Sequence, residues 1–172
     1  LGMANDRRFD QRVKNIFEGL NQTTAGPFEN GQVLLGRLLG YSAENSSDDS
    51  APDPWWILNN TEGIVFEDYT DCKKGAVIST EKARQAASHP GWLNAVEDYK
   101  NIHFDVVFVT PAKRLGGGAR PSADKSYYWE MNDFVAWATK AVTMIRQLRR
   151  SFNSPGDLVW RAEAKDAYLR EG

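Results

Sequence analysis

The chain has 172 residues, of which 41% are hydrophobic and 26% charged. That is the make-up of a globular domain with its own core, and it excludes a disordered or fibrous chain. A net charge of −2 and a single cysteine, Cys72, give no sign of a bulk-basic nucleic-acid binder and exclude an internal disulfide or a cysteine-based zinc cluster.

No apolar run approaches the roughly 20 residues of a membrane helix, and no basic segment followed by an apolar stretch opens the chain as a secretion signal. A cytoplasmic protein without membrane contact is expected. Leu1-Gly2 ahead of Met3 reads as a tag remnant, and Arg170-Glu171-Gly172 ends the sequence inside a helical pattern. The expectation is one domain, residues 1–172, cut from a longer protein.

In chain order, Phe9, Val13, Ile16, Phe17 and Leu20 fall at helical spacing and predict a helix over residues 6–20. A second helix is predicted over 28–39, with Gly40 as its C-cap and Gly31 and Gly36 marking close packing. Residues 41–54 read as a polar loop. Residues 55–58 and 64–70 read as strands joined by a turn through Asn59-Asn60-Thr61-Glu62-Gly63, a hairpin pattern. A helix from the cap Thr80 to about Tyr99 follows, broken or kinked at Pro90-Gly91. The apolar run 102–110 reads as a buried strand, 111–124 as a loop around Gly116-Gly117-Gly118, and 126–131 as a short strand. A long helix to about Phe152 and a final one from Asp157 complete the pattern. A helix between the second and third strands makes a crossover. The fold class is therefore α/β, a three-layer domain with a mixed sheet flanked by helices.

Charge is unevenly spread. Residues 44–53 carry acids and no base; Lys113, Arg114 and Arg120 crowd the glycine-rich loop; Arg146, Arg149 and Arg150 share the long helix with Lys140. Such segments can grip a polyanion, contact by contact, or be solvated helix and loop surfaces.

Four features line up as candidate chemistry. Glu29 lies in the second helix, Asp53 in Pro52-Asp53-Pro54-Trp55-Trp56, Glu67 in Ile64-Val65-Phe66-Glu67-Asp68-Tyr69, and Gln85 in the next helix ahead of His89-Pro90-Gly91-Trp92-Leu93. Residues two apart on a strand share a face, so Val65, Glu67 and Tyr69 face one way and Ile64, Phe66 and Asp68 the other. The neighbouring strand can bring Asp53 beside Glu67. Converging carboxylates repel unless a hard cation sits between them, and Mg²⁺ prefers oxygen ligands.

This succession, from Glu29 to Leu93, resembles the PD-(D/E)XK nuclease superfamily, with its restriction-endonuclease-like core. It is most similar to versions attached to larger DNA-processing proteins such as helicases. The resemblance implies metal-dependent hydrolysis of phosphodiester bonds in DNA. Asp53 and Glu67 would be the ligands of Mg²⁺ or Mn²⁺, Glu29 an auxiliary acid and Gln85 a residue behind the ligands. DNA and other domains of a helicase-like or restriction protein would be the partners, in restriction, repair or phage defence. One position departs from the pattern: the lysine expected two residues after the second acid is Tyr69, neutral at pH 7. Lys82, on the same helix face as Gln85, is the expected replacement, and Lys73 or Lys74 is the other. A site that lost its lysine, and now binds DNA or a partner without cutting, is the alternative. An unrelated α/β interaction domain is the third reading. His89 is expected to pack and bond locally, and at least one of Trp55 and Trp56 to be core.

Overall fold

A computed structural model describes residues 6–48, 51–73, 75–152 and 154–168. The elements are α1 (Asp6–Leu20), α2 (Ala25–Leu39), β1 (Ser42–Glu44), β2 (Trp55–Ile57), β3 (Glu62–Asp68), α3 (Thr80–Asn94), a 3₁₀ turn (Glu97–Tyr99), β4 (His103–Thr110), α4 (Arg120–Ala123), β5 (Ser126–Glu130), α5 (Met131–Ser151) and α6 (Leu158–Tyr168). The chain divides into two compact units. One comprises Asn15–Val135; the other joins the described residues before Asn15 to those from Ala136 onward.

The larger unit is built on one five-stranded sheet in the order β1-β2-β3-β4-β5. β1, β2 and β3 run antiparallel in succession, whereas β4 and β5 run parallel to β3. The sheet is therefore mixed, as the helix between the hairpin and β4 requires. At the hairpin turn, Asn59 Oδ1 accepts from Thr61 N at 2.8 Å and Glu62 N at 2.9 Å. An asparagine side chain here takes over bonds that a longer turn would leave to water.

The two sheet faces bury different sets. Trp55, Val65, Val106 and Phe108 pack with Ala83, Ala86 and Leu93 of α3. Residues one step along the strands, Trp56 and Phe66, form an aromatic cluster with Phe134, the first two with ring centroids 4.9 Å apart. α2 closes on Trp56, whose Nε1 donates to Gln32 O at 3.2 Å. The glycines of α2 permit that approach. A Cβ on Gly36 would lie 2.5 Å from Trp56 Nε1, and one on Gly31 would lie 2.8 Å from Leu20 N of α1. Gly40 ends α2 at φ +97°, in the left-handed region that favours glycine.

Four expectations are corrected. The polar loop 41–54 contains β1, a three-residue edge strand held by the buried Ala43. The cap of α3 is Ser79, whose Oγ accepts from Lys82 N at 3.1 Å, and not Thr80. α3 runs through Pro90 without ending there. A proline removes one backbone donor, and the buried His89 and Leu93 on either side hold the last turn to the sheet. The stretch 111–124, expected as loop throughout, is pinned and contains a helix. Leu115 forms a β-bridge with Ile78, Gly116 N donates to Ile78 O at 2.8 Å, and the short α4 follows.

In the second unit Arg146 pairs with Asp10 and lies over the Phe9 ring, as does Arg149 at 4.6 Å. Phe152 meets Trp160 edge-on at 5.0 Å. No helix among the described residues is long and apolar enough to cross a membrane.

Candidate active site

Antiparallel pairing fixes where Asp53 falls. Trp55 is opposite Val65, and Phe66 N donates to Pro54 O at 2.9 Å. Continuing that register sets Asp53 against the Glu67–Asp68 end of β3. There its Oδ2 accepts a short hydrogen bond from Asp68 N. Asp53 sits in a bend two residues ahead of β2, and Pro54 after it restricts the backbone it can adopt.

Glu67 is fully buried, on the α3 side of the sheet. Such a carboxylate requires partners, and α3 supplies two. Lys82 Nζ donates to Oε1 at 2.7 Å, and His89 Nε2 lies 2.8 Å from Oε2. Lys82 and His89 are seven residues apart, two helical turns, and so project from one face. Lys82 also lies 5.9 Å from the centre of the Tyr69 ring, so the residue two after Glu67 packs beside the lysine that reaches the acid.

On the opposite face Asp68 is buried, and its Oδ1 accepts from Gln32 Nε2 at 3.1 Å. Glu29 stands at the edge of this group, with its Oε2 accepting from Asn45 Nδ2 at 2.9 Å.

The electrostatics follow from this crowding. Burial, followed by the charge of Glu67, pushes the Asp53 carboxyl up to about 7; the amide of Asp68 and the charge of Lys82 act against that rise. Burial, followed by Asp53 and Glu29, holds the Asp68 carboxyl well above the usual range. Burial alone would lower Lys82, but its bond to Glu67 and the nearby acids outweigh that and raise it. Lys82 is therefore a fixed cation at neutral pH and not a base.

The expected residues divide as follows. Asp53, Glu67 and Lys82 come together, with Glu29 electrostatically coupled to Asp53. Gln85 is exposed, and among the described residues no hydrogen bond ties its side chain to either acid. Lys73 is exposed on the loop after β3, and Lys74 lies outside the described residues. Lys113, Arg114 and Arg120 are exposed around the pinned loop, with Arg114 Nη2 donating to Gly75 O at 3.2 Å. Arg150 is exposed, whereas Arg146 and Arg149 are engaged on Phe9. Trp55 and Trp56 are both buried. His89 packs and bonds as expected, and its partner is the site's own Glu67; the seven-residue spacing from Lys82 is the signal for that partner.

Among the described residues no three His, Cys, Asp or Glu side chains form a group able to hold a metal. The pair Asp53 and Glu67 nonetheless suits a hard cation in kind. Both are oxygen donors, each Glu67 oxygen keeps a second lone pair beside its hydrogen bond, and Asp53 is short of positive charge. No family model matches the chain, and no curated protein or solved structure is significantly similar to it.

Proposed function

We propose that this chain is a Mg²⁺-dependent DNA endonuclease domain with a three-layer restriction-endonuclease-like core. It would act in the cytoplasm as one module of a larger restriction, repair or phage-defence protein. The observation that carries the reading is the Lys82–Glu67 contact at 2.7 Å: a lysine delivered from α3 to the strand acid whose own motif position holds Tyr69. Asp53 and Glu67 would hold the ion. When bound, it would polarise the phosphodiester and lower the pKa of an attacking water. Lys82 would set positive charge at the phosphate oxygens, where it builds up during attack. His89 keeps the Glu67 carboxylate in one orientation from beneath, and Asp68 N does the same for Asp53.

A second reading has its own support. Both oxygens of Glu67 are already engaged inside the fold, by Lys82 and His89. A nuclease-derived domain that binds DNA or a protein partner without cutting would keep this closed network. Plasmid incubated with the purified chain and Mg²⁺ or Mn²⁺ decides between them. The nuclease reading expects nicked or linear product that Asp53→Ala and Glu67→Ala each abolish. DNA retained on the chain but never cut with either metal selects the second reading. Absence of any salt-dependent DNA binding removes the nuclease reading and the DNA-binding form of the second, and favours an interaction domain that takes a protein partner.

A further inference from the structure

Away from the acids, a pocket of about 190 Å³ opens beside β5, the last strand of the sheet. Its floor is the buried pair Ile78 and Phe108; its rim carries Leu115 and Tyr128, 45% and 48% exposed, and the exposed cations Lys113 and Arg114. Large apolar side chains left in water around a concavity mark a binding site more often than chance exposure. The size is selective: an apolar cavity of about 150 Å³ holds benzene, so this one takes a single aromatic ring system. The Tyr128 ring is fixed in place, because its Oη donates to Thr110 O at 3.2 Å. Glu130, two residues after Tyr128, is committed to the start of α5, accepting from Asn132 N at 2.8 Å and Asp133 N at 3.2 Å. An anionic group attached to the ring is therefore best placed on the Lys113–Arg114 side. A flat ring joined to an anion is the chemistry of a nucleotide.

The sheet register relates the pocket to the acids. Glu67 pairs with Phe108, and Phe108 with Tyr128, in parallel strands. Residues so paired point to one face, and adjacent strands are about 4.8 Å apart, so the Tyr128 row stands about 10 Å from Glu67. That is a stride of one to two nucleotides.

We propose that this pocket seats one nucleobase of a single-stranded DNA segment, with Tyr128 as the stacking platform and Lys113 and Arg114 on its phosphate. Its role as a substrate subsite rests on the nuclease reading, whereas its ligand chemistry rests on the pocket's own residues. The test is binding without cleavage. The full chain carrying Asp53→Asn, with no divalent ion, is titrated with labelled single-stranded dodecamers that are fully based or abasic, and with the matching duplex. The based strand is expected to bind about tenfold more tightly than the abasic one, within the range found for loss of one stacked base. Tyr128→Ala and, at an exposed position that spares the fold, Leu115→Glu should each erase that difference; Tyr128→Phe should keep it. Equal binding of based and abasic strands, or tighter binding of duplex than of single strand, overturns the proposal. So does displacement of the strand by equimolar 5′-dAMP, which would assign the pocket to a free nucleotide. Failure of the wild-type chain to cut DNA while base-dependent binding persists sinks the nuclease reading alone. Cutting with base-independent binding sinks the pocket alone.

Discussion

At the residue scale the informative group is Asp53. Its carboxyl titrates near 7 in the folded chain against an ordinary value of 3.8. Between those values the folded state keeps a proton that the unfolded state has lost. Stability must therefore fall as pH rises from about 4 to about 7, and level off above. Asp68 is shifted in the same direction and adds to the slope. Asp53→Asn keeps an acceptor for Asp68 N and removes the charge. In metal-free buffer at pH 8 it should raise stability by roughly 3 kcal/mol, allowing for partial exposure, and flatten the dependence of melting temperature on pH. On the nuclease proposal the same variant should also abolish cleavage, which would distinguish an acid costly to the fold and essential to turnover from a surface turn residue. A melting curve for Asp53→Asn as pH-sensitive as that of the parent would contradict the assignment. Lys82 is the second test at this scale. On the nuclease proposal, Lys82→Ala should lower the cleavage rate by about 10² to 10³, the loss seen when one charge-stabilising donor is removed, and a single-turnover assay reads it directly. How far the site was legible differs by residue. The closeness of Asp53 and Glu67 was legible, Glu67 because a carboxylate in an apolar strand demands a partner and Asp53 because it precedes the strand that pairs beside it. Lys82 was visible from a gap in a motif. The partner of His89 was not, because a lone histidine carries no signal until the helix phase relative to Lys82 is known.

At the element scale, α3 is the part that matters most, since it delivers both partners of Glu67 and buries Ala83, Ala86 and Leu93 against the same sheet face. Its period was readable, but its ends were not. Ser79 and Thr80 are both accepted cap types, serine the better, and the fold has the Ser79 hydroxyl meet Lys82 N. The three residues of β1 were not readable at all. A short edge strand holds its place through pairing with Trp55–Ile57, a contact with a distant segment that leaves little trace in Ser42-Ala43-Glu44 itself. α2 was readable down to its glycines, and they support a direct prediction. Gly36→Ala would set a methyl group 2.5 Å from the indole nitrogen of Trp56. Overpacking of this kind costs about 1–3 kcal/mol. Alanine's better helix propensity returns at most about 1 kcal/mol. The variant should therefore unfold at lower denaturant concentration, with its midpoint shifted and its slope unchanged. Gly26→Ala, in the same helix with open space around it, should not be destabilised and serves as the control.

At the scale of the whole molecule, a net charge of −2 means that the proposed DNA affinity would have to come from local groups, and the basic segments are not equivalent. Arg146 and Arg149 flank Phe9, and Arg146 also pairs with Asp10. A cation held over a ring and against a carboxylate must give up those contacts to meet phosphate. Lys73, Lys113 and Arg114 are exposed in the unit that carries Asp53 and Glu67. The sequence could not separate the two sets, because helical spacing and loop composition read the same whether a cation is stacked on a ring or exposed. The distinction appears in salt dependence. Each phosphate contact on duplex DNA contributes about −0.9 to the slope of log K against log salt. The triple variant Lys73→Gln, Lys113→Gln, Arg114→Gln should make that slope shallower by about 2 to 3, with little change in melting temperature. Arg146→Gln with Arg149→Gln should lower the melting temperature by loosening Phe9, while leaving the slope within one contact of the parent. The opposite pattern would place the DNA track on α5 and detach it from the acids of β3.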